Sequence, residues 1–123
     1  MWQRGVTQRR RLRFLVMKQY TTSEQTAKLI ELGFEKPKMA APALKWVDGE
    51  PAFEPQYTIG ELMEMLPQVI EFGGNSLFYP LRVMPTVGGG WAISYCNEFD
   101  ERNNELIDAL YCMILQLKEE GVI

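Results

Sequence analysis

The feature that most constrains the fold is an apolar stripe of helical period near the end of the chain. Glu105 and Asp108 favour the positive end of the predicted helix, since acidic side chains complement the helix dipole there. Asp100 or Asn103 can cap it, and Gly121 closes it. A stripe this broad requires a second layer to cover it. Its members are Leu106, Ile107, Leu110, Tyr111, Ile114, Leu115 and Leu117.

Two earlier helices are predicted from capping boxes, in which a threonine is followed three residues later by Gln or Glu. Thr22 opens a helix over about 23–32, and Gly33 supplies the left-handed residue that ends it. Thr58 opens a second helix that ends near Leu66, because the next residue is a proline. Residues 68–72 are interpreted as a further turn of this helix.

Two antiparallel hairpins are predicted between the helices. Segments 43–47 and 52–53 flank Asp48-Gly49, a strong turn signal, and Pro51 restricts its strand to a short or edge position. Segments 77–84 and 91–96 are rich in aromatic and branched residues and are joined by a six-residue connection. Large and small residues alternate along 91–96, which is typical of a half-buried strand.

The element order is therefore α-β-β-α-β-β-α. It predicts an α+β fold in a single domain over residues 19–123, with a small antiparallel sheet packed against helices. Leu, Ile, Val and Phe are frequent enough for a real core in a chain of 123 residues.

The charge is distributed unevenly along the chain. Residues 1–18 contain six basic residues and no acidic residue, whereas the remainder contains seven basic and sixteen acidic residues. We interpret 1–18 as a basic flexible leader, and the change of composition at Met17 leaves open that residues 1–16 precede the native start. The acidic body disfavours nucleic-acid binding by the folded part. A candidate nucleic-acid arm remains in the leader, formed by Arg9, Arg10, Arg11 and Arg13.

Several classes of site are excluded or disfavoured by composition. The chain contains no histidine, which excludes Ser-His-Asp and Cys-His catalysis and histidine-ligated metal or haem. Its two cysteines exclude a disulfide framework and a four-cysteine metal site within one chain. No segment reaches the roughly 20 apolar residues of a membrane-spanning helix, so we expect no membrane association and a cytoplasmic location. No catalytic residue, cofactor or metal ligand is predicted, and the acidic residues of 98–105 are interpreted as the start of the last helix.

Two groups of residues are candidates for a binding site. Trp46 and Phe53, on a proline-containing edge hairpin, are candidate partner contacts, since aromatic residues are enriched at interface centres. A candidate ligand pocket lies at the end of the later hairpin and its following acidic segment, and comprises Trp91, Tyr95, Glu98 and Asp100.

Three segments carry a resemblance to a known group of proteins: TSEQTAKLIELGF, YTIGELMEMLPQVI and ELIDALYCMILQLKEEG. Together they resemble small uncharacterised proteins of gut anaerobic bacteria and their prophages or other mobile elements. The resemblance covers residues 19–123 and leaves the basic leader outside. It implies a small soluble accessory protein and assigns no catalytic residue.

Three functional hypotheses follow. The favoured one is a non-enzymatic protein–protein interaction module of unidentified partner, self-associating, that presents the Trp46–Phe53 hairpin. The second is a small-molecule binder or minor enzyme that uses the candidate pocket and at least one carboxyl group with a strongly shifted pKa. The third is a nucleic-acid-associated protein that binds through its basic arm, with strong dependence on salt.

Overall fold

The computed structural model describes residues 18–38, 40–47, 50–71, 77–96 and 98–123, and only the backbone of the strand residues 40–47 and 50–54. Its helices are α1 (Ser23–Glu31), α2 (Ile59–Met65) and α3 (Leu106–Glu119). Its strands are β1 (Ala40–Val47), β2 (Glu50–Pro55), β3 (Val69–Glu71), β4 (Phe78–Pro85), β5 (Trp91–Tyr95) and β6 (Phe99–Asn103).

The predicted α+β class is confirmed, and the element order differs from the prediction by two added strands. Strands β3, β4, β5 and β6 form one antiparallel sheet in that spatial order, and β1 and β2 form a separate two-stranded sheet. The observed order is α-β-β-α-β-β-β-β-α, in which β3 and β6 are additional.

The local signals at the ends of α1 and α2 behave as predicted. The Thr22 hydroxyl accepts from the Gln25 backbone N–H at 3.1 Å, and the Gln25 side chain accepts from the Thr22 N–H at 3.0 Å. At the other end of α1, Gly33 has a φ of 99°, and the Phe34 N–H donates to the Leu29 carbonyl at 3.1 Å. A reciprocal box at Thr58 opens α2 in the same way.

The start of α3 corrects one prediction. Neither Asp100 nor Asn103 is its N-cap, because both lie in β6, and Glu105 takes that position without a side-chain capping bond. The predicted end is confirmed: Gly121 has a φ of 75°, and the Val122 N–H donates to the Leu117 carbonyl at 2.9 Å.

The segment 68–72 also differs from its prediction, because part of it forms a strand. Val69–Glu71 pairs with the first half of β4, with Ile70 opposite Tyr79. The Leu81 N–H donates to the Gln68 carbonyl at 2.8 Å, which continues the pairing beyond β3. Burial of Ile70 in the core holds this segment as a strand, since a helical turn would not extend along the edge of β4.

The core lies between α3 and one face of the four-stranded sheet. Leu110, Met113, Ile114 and Leu117 of α3 are completely buried, and Ile93 and Tyr95 of β5 are buried with them. Each buried side chain of this size contributes about 1.5–3 kcal/mol. The predicted packing of a small antiparallel sheet against helices is therefore confirmed.

Lys18 and the side chain of Asp108 fasten the beginning of the described chain to α3. The Lys18 ammonium lies 3.0 Å from an Asp108 carboxylate oxygen, which also accepts from the Gln25 side chain at 2.8 Å. Among the described helices, none has both the length and the apolarity needed to cross a lipid bilayer.

Candidate functional site: the open face of the sheet

The four-stranded sheet has two unlike faces. The face against α3, the helix face, carries Tyr79, Leu81, Val83, Trp91, Ile93, Tyr95 and Phe99. The opposite face, which we call the open face, carries Phe78, Pro80, Arg82, Met84, Ala92, Ser94, Asp100 and Arg102. Phe78 is 64% exposed and Met84 49% exposed, so large apolar side chains of the open face lie in contact with solvent.

A trough runs along β5 on the open face. Its floor consists of the small residues Ala92 and Ser94, and longer side chains of the neighbouring strands form its walls. The register places Arg82, Ser94 and Asp100 in one row across the sheet. Met84, Ala92 and Arg102 form the next row. The resulting concavity has a volume of about 520 Å³ and extends to Phe78 and Cys96.

The charges of the trough are not balanced within the described chain. The Nε atom of Arg102 lies 3.3 Å from a carboxylate oxygen of Asp100, so this wall carries an ion pair. Arg82, on the other wall, is exposed and has no hydrogen-bond or ion-pair partner among the described residues. The trough therefore offers an unpaired guanidinium beside exposed apolar surface, an arrangement suited to a carboxylate with an apolar neighbour.

Of the four residues predicted to form a pocket, only Asp100 lines the trough. Trp91 is half-buried on the helix face, and Tyr95 is completely buried there. Glu98 is exposed in the turn between β5 and β6. Residues 91 and 95 have the opposite parity from residues 92 and 94, so the pleat directs them away from the trough.

Tyr95 connects the helix face to the segment after α2. Its hydroxyl donates to the Pro67 carbonyl at 2.6 Å. Burial raises the pKa of Tyr95 to about 12, because the phenolate would have to form away from water. At neutral pH this phenol is therefore a hydrogen-bond donor and does not act as a base.

The other groups with a shifted pKa, among them Glu101 and Cys112, do not line the trough. Burial, and then the charge of Asp100, raise the pKa of Glu101 above its ordinary value. Burial raises the pKa of the Cys112 thiol, with added repulsion from Glu101 and Asp108. Cys96 lies at the end of the trough, is exposed, and has a φ of 55°. No group of three or more cysteine or acidic side chains within the described ranges is placed to hold a metal ion.

The remaining candidate residues belong to the β1–β2 hairpin and to the basic leader. The backbone pairs Trp46 with Pro51 and Phe53 with Leu44 in the β1–β2 hairpin, which confirms the predicted hairpin. The side chains of Trp46 and Phe53 lie outside the described part of the chain, as do Arg9, Arg10, Arg11 and Arg13.

Apart from Asp100, the residues of the trough are not among the candidates predicted from the sequence. A usable signal was present, because small residues alternate with large ones along β5, and Arg82 alternates with apolar residues along β4. Recognising the trough requires the register between strands, which brings Ala92 between Met84 and Arg102.

No family model, curated protein or solved structure matches this chain.

Proposed function

We propose that this chain is a non-enzymatic protein–protein interaction module that binds a protein segment carrying apolar side chains and a carboxylate in the trough of the open face. The observation that supports the proposal is Arg82, an exposed guanidinium without a partner among the described residues, between Phe78 and Met84 on β4. Arginine and aromatic residues dominate the energetics of protein interfaces, and contiguous exposed apolar surface is typical of a binding site.

The expected mode of binding follows from the apolar and the charged side chains that form the walls of the trough. The segment lies along β5, its apolar side chains contact Phe78 and Met84, and its carboxylate accepts two hydrogen bonds from Arg82. Ala92 and Ser94 leave room for the segment because neither side chain is long. Asp100 and Arg102 already neutralise each other, so Arg82 selects the acidic group.

The test is selection of peptides from a random displayed library on the immobilised full-length protein, followed by affinity measurement of the enriched peptides. We expect enriched peptides to combine Asp or Glu with aliphatic or aromatic residues. Arg82→Glu should weaken their binding by about tenfold or more, since a charge-assisted bidentate contact becomes a repulsion. Lys36→Glu is the matched control, because Lys36 is exposed and lies outside the trough.

Two results would contradict the proposal: no enrichment over the unselected library, or enriched peptides that bind wild type and Arg82→Glu equally. A hairpin-based interface through Trp46 and Phe53 remains a separate prediction. Such an interface would be indicated by enriched peptides whose affinity differs between wild type and Trp46→Ala but is the same for wild type and Arg82→Glu.

A small carboxylate-bearing molecule is the second candidate ligand. The volume of about 520 Å³ lies within the range of small-molecule sites, which favours this alternative. The exposure of Phe78 argues against it, since such sites bury most of their ligand. A panel of aliphatic and aromatic monocarboxylates, assayed by thermal shift with Arg82→Glu as the control, separates the two ligands. Stabilisation by these compounds, lost in the variant, would favour the small molecule.

A further inference from the structure

Strand β6 is one edge of the four-stranded sheet. Its inner side pairs with β5 in continuous register from Phe99 to Asn103, and no strand of the described chain pairs with its outer side. The strand contains no proline and no bulge, two devices by which proteins protect exposed edges. The opposite edge, β3, is only three residues long. Strand β6 is therefore the longer of the two edge strands.

The charges of β6 specify which strand fits. Asp100 and Arg102 lie on the open face, and their side chains form an exposed ion pair at 3.3 Å. When a second copy of β6 pairs antiparallel with the first, centred on Glu101, Asp100 lies opposite Arg102 of the second copy, and the reverse holds by symmetry. Centring on Asp100 or on Arg102 would instead oppose identical charges on this face. One register thus places the four charges in alternation.

We propose that two copies of this chain associate by antiparallel pairing of their β6 strands about a two-fold axis at Glu101. The product is a continuous eight-stranded sheet in which each carboxylate of Asp100 lies between two guanidiniums of Arg102. Two-fold dimers are the commonest closed assemblies, and strand addition to an open edge supplies backbone hydrogen bonds as well as side-chain pairs. Both open faces lie on one side of this sheet, and the second copy adds its Arg102 to the wall of the first trough.

Glu101 opposes its own counterpart at the axis on the other side of the sheet. The ionisable groups near Glu101 are Asp100 on the same strand and Asp108 and Cys112 on α3. Glu101 is already half-buried in the single copy. Like charges opposite one another weaken strand pairing, so Glu101 limits the strength of the dimer. Five paired residues bury little area, so we expect a weak dimer that forms only at high protein concentration.

Sedimentation equilibrium of the full chain at several concentrations tests the proposal with four variants. Asp100→Arg and Arg102→Asp should each raise the dimer dissociation constant by about tenfold, because each creates two like-charge contacts. The double variant carrying both changes should restore it to within about threefold of wild type. Glu101→Gln should lower it, because the repulsion at the axis is removed. Far-UV circular dichroism and the unfolding midpoint check that each variant is folded.

A disulfide test fixes the register independently. In a background of Cys96→Ser and Cys112→Ser, Glu101→Cys should crosslink two copies under mild oxidation, since directly opposed residues lie about 4.5–5.5 Å apart. Asp100→Cys is the control, because its counterpart is displaced by two residues along the strand and out of reach.

The proposal is overturned if the wild type remains monomeric at millimolar concentration, if single and double charge variants dimerise equally, or if Asp100→Cys crosslinks as readily as Glu101→Cys. Peptide binding is not measured in these experiments. A failure here therefore leaves the proposed function standing, and loss of peptide binding in Arg82→Glu leaves the dimer standing.

Discussion

At the scale of single residues, the buried tyrosine of β5 shows how one polar atom holds two parts of the fold together. Tyr95 is completely buried, and its hydroxyl donates to the carbonyl of Pro67, just after α2. A buried hydroxyl that makes a hydrogen bond stabilises the fold, whereas an unpaired partner costs free energy. Tyr95 therefore has a structural role: it stabilises the sheet on which the trough lies.

We expect Tyr95→Phe to lower the free energy of unfolding by about 1–2 kcal/mol, because the phenol bond to Pro67 is lost while the ring remains. Urea denaturation at neutral pH measures the change. Tyr79→Phe is the matched control, since Tyr79 is half-buried on the same face and its hydroxyl has no partner among the described residues. Equal losses in the two variants would contradict the role assigned to the bond.

A pair of glycines in one connection provides a second test at this scale. A Cβ added at Gly90 would lie 2.7 Å from the Asn103 carbonyl oxygen of β6, whereas one added at Gly88 meets nothing within 4 Å. Gly90→Ala should therefore destabilise the protein by about 1–3 kcal/mol, because backbone has to move. Gly88→Ala should change stability by less than about 0.5 kcal/mol. Thermal unfolding compares them, and similar midpoints for both variants would exclude the close approach of Gly90 to the Asn103 carbonyl.

At the scale of elements, the helices could be predicted from the sequence because their signals are local. Thr22, Thr58 and Gly33 act on backbone groups within four residues of themselves, and the structure places each as predicted. Strand β6 could not be predicted in this way. Its sequence, FDERN, is polar, and its conformation depends on pairing with β5. The trough was missed for the same reason, since it exists only between strands.

The capping box of α2 yields a prediction for that element. Helix α2 has only seven residues, so its first turn is a large part of it. Thr58→Ala should lower the free energy of unfolding by about 0.5–2 kcal/mol, because the Glu61 N–H loses its acceptor. Thr58→Ser retains the hydroxyl and should lose much less. If both variants lose the same amount in urea denaturation, packing of the threonine methyl outweighs the cap.

At the scale of the whole molecule, the tyrosine and cysteine groups with a shifted pKa all lower the stability of the fold as the pH becomes alkaline. The pKa values of Tyr57, Tyr95, Tyr111 and Cys112 are all raised, with burial as the largest cause in each case. A group whose pKa is raised on folding stabilises the folded state while both states are protonated. That contribution is lost as the pH rises from the unfolded pKa to the folded one.

Stability should therefore fall with rising pH between about pH 9 and pH 12. For Tyr95 the window runs from 10.0 in the unfolded chain to about 12 in the folded one. We expect this residue alone to account for about 1–2 kcal/mol of the loss. Urea denaturation at pH 8.5 and pH 11.5 measures the loss, and Tyr95→Phe should reduce it. A loss that is identical in wild type and variant would assign the alkaline sensitivity to other groups.

The alternation along β5 also has a consequence for how such a protein can change over time. Residues 91, 93 and 95 carry the large side chains of the helix face, whereas residues 92 and 94 form the floor of the trough. The packing against α3 and the shape of the trough therefore depend on different positions of one five-residue segment. Substitutions at the floor positions alter the depth of the recognition surface and leave the packing against α3 intact. Under the proposed function, a few mutations at residues 92 and 94 could therefore change which segment is bound while the hydrophobic interior stays unchanged.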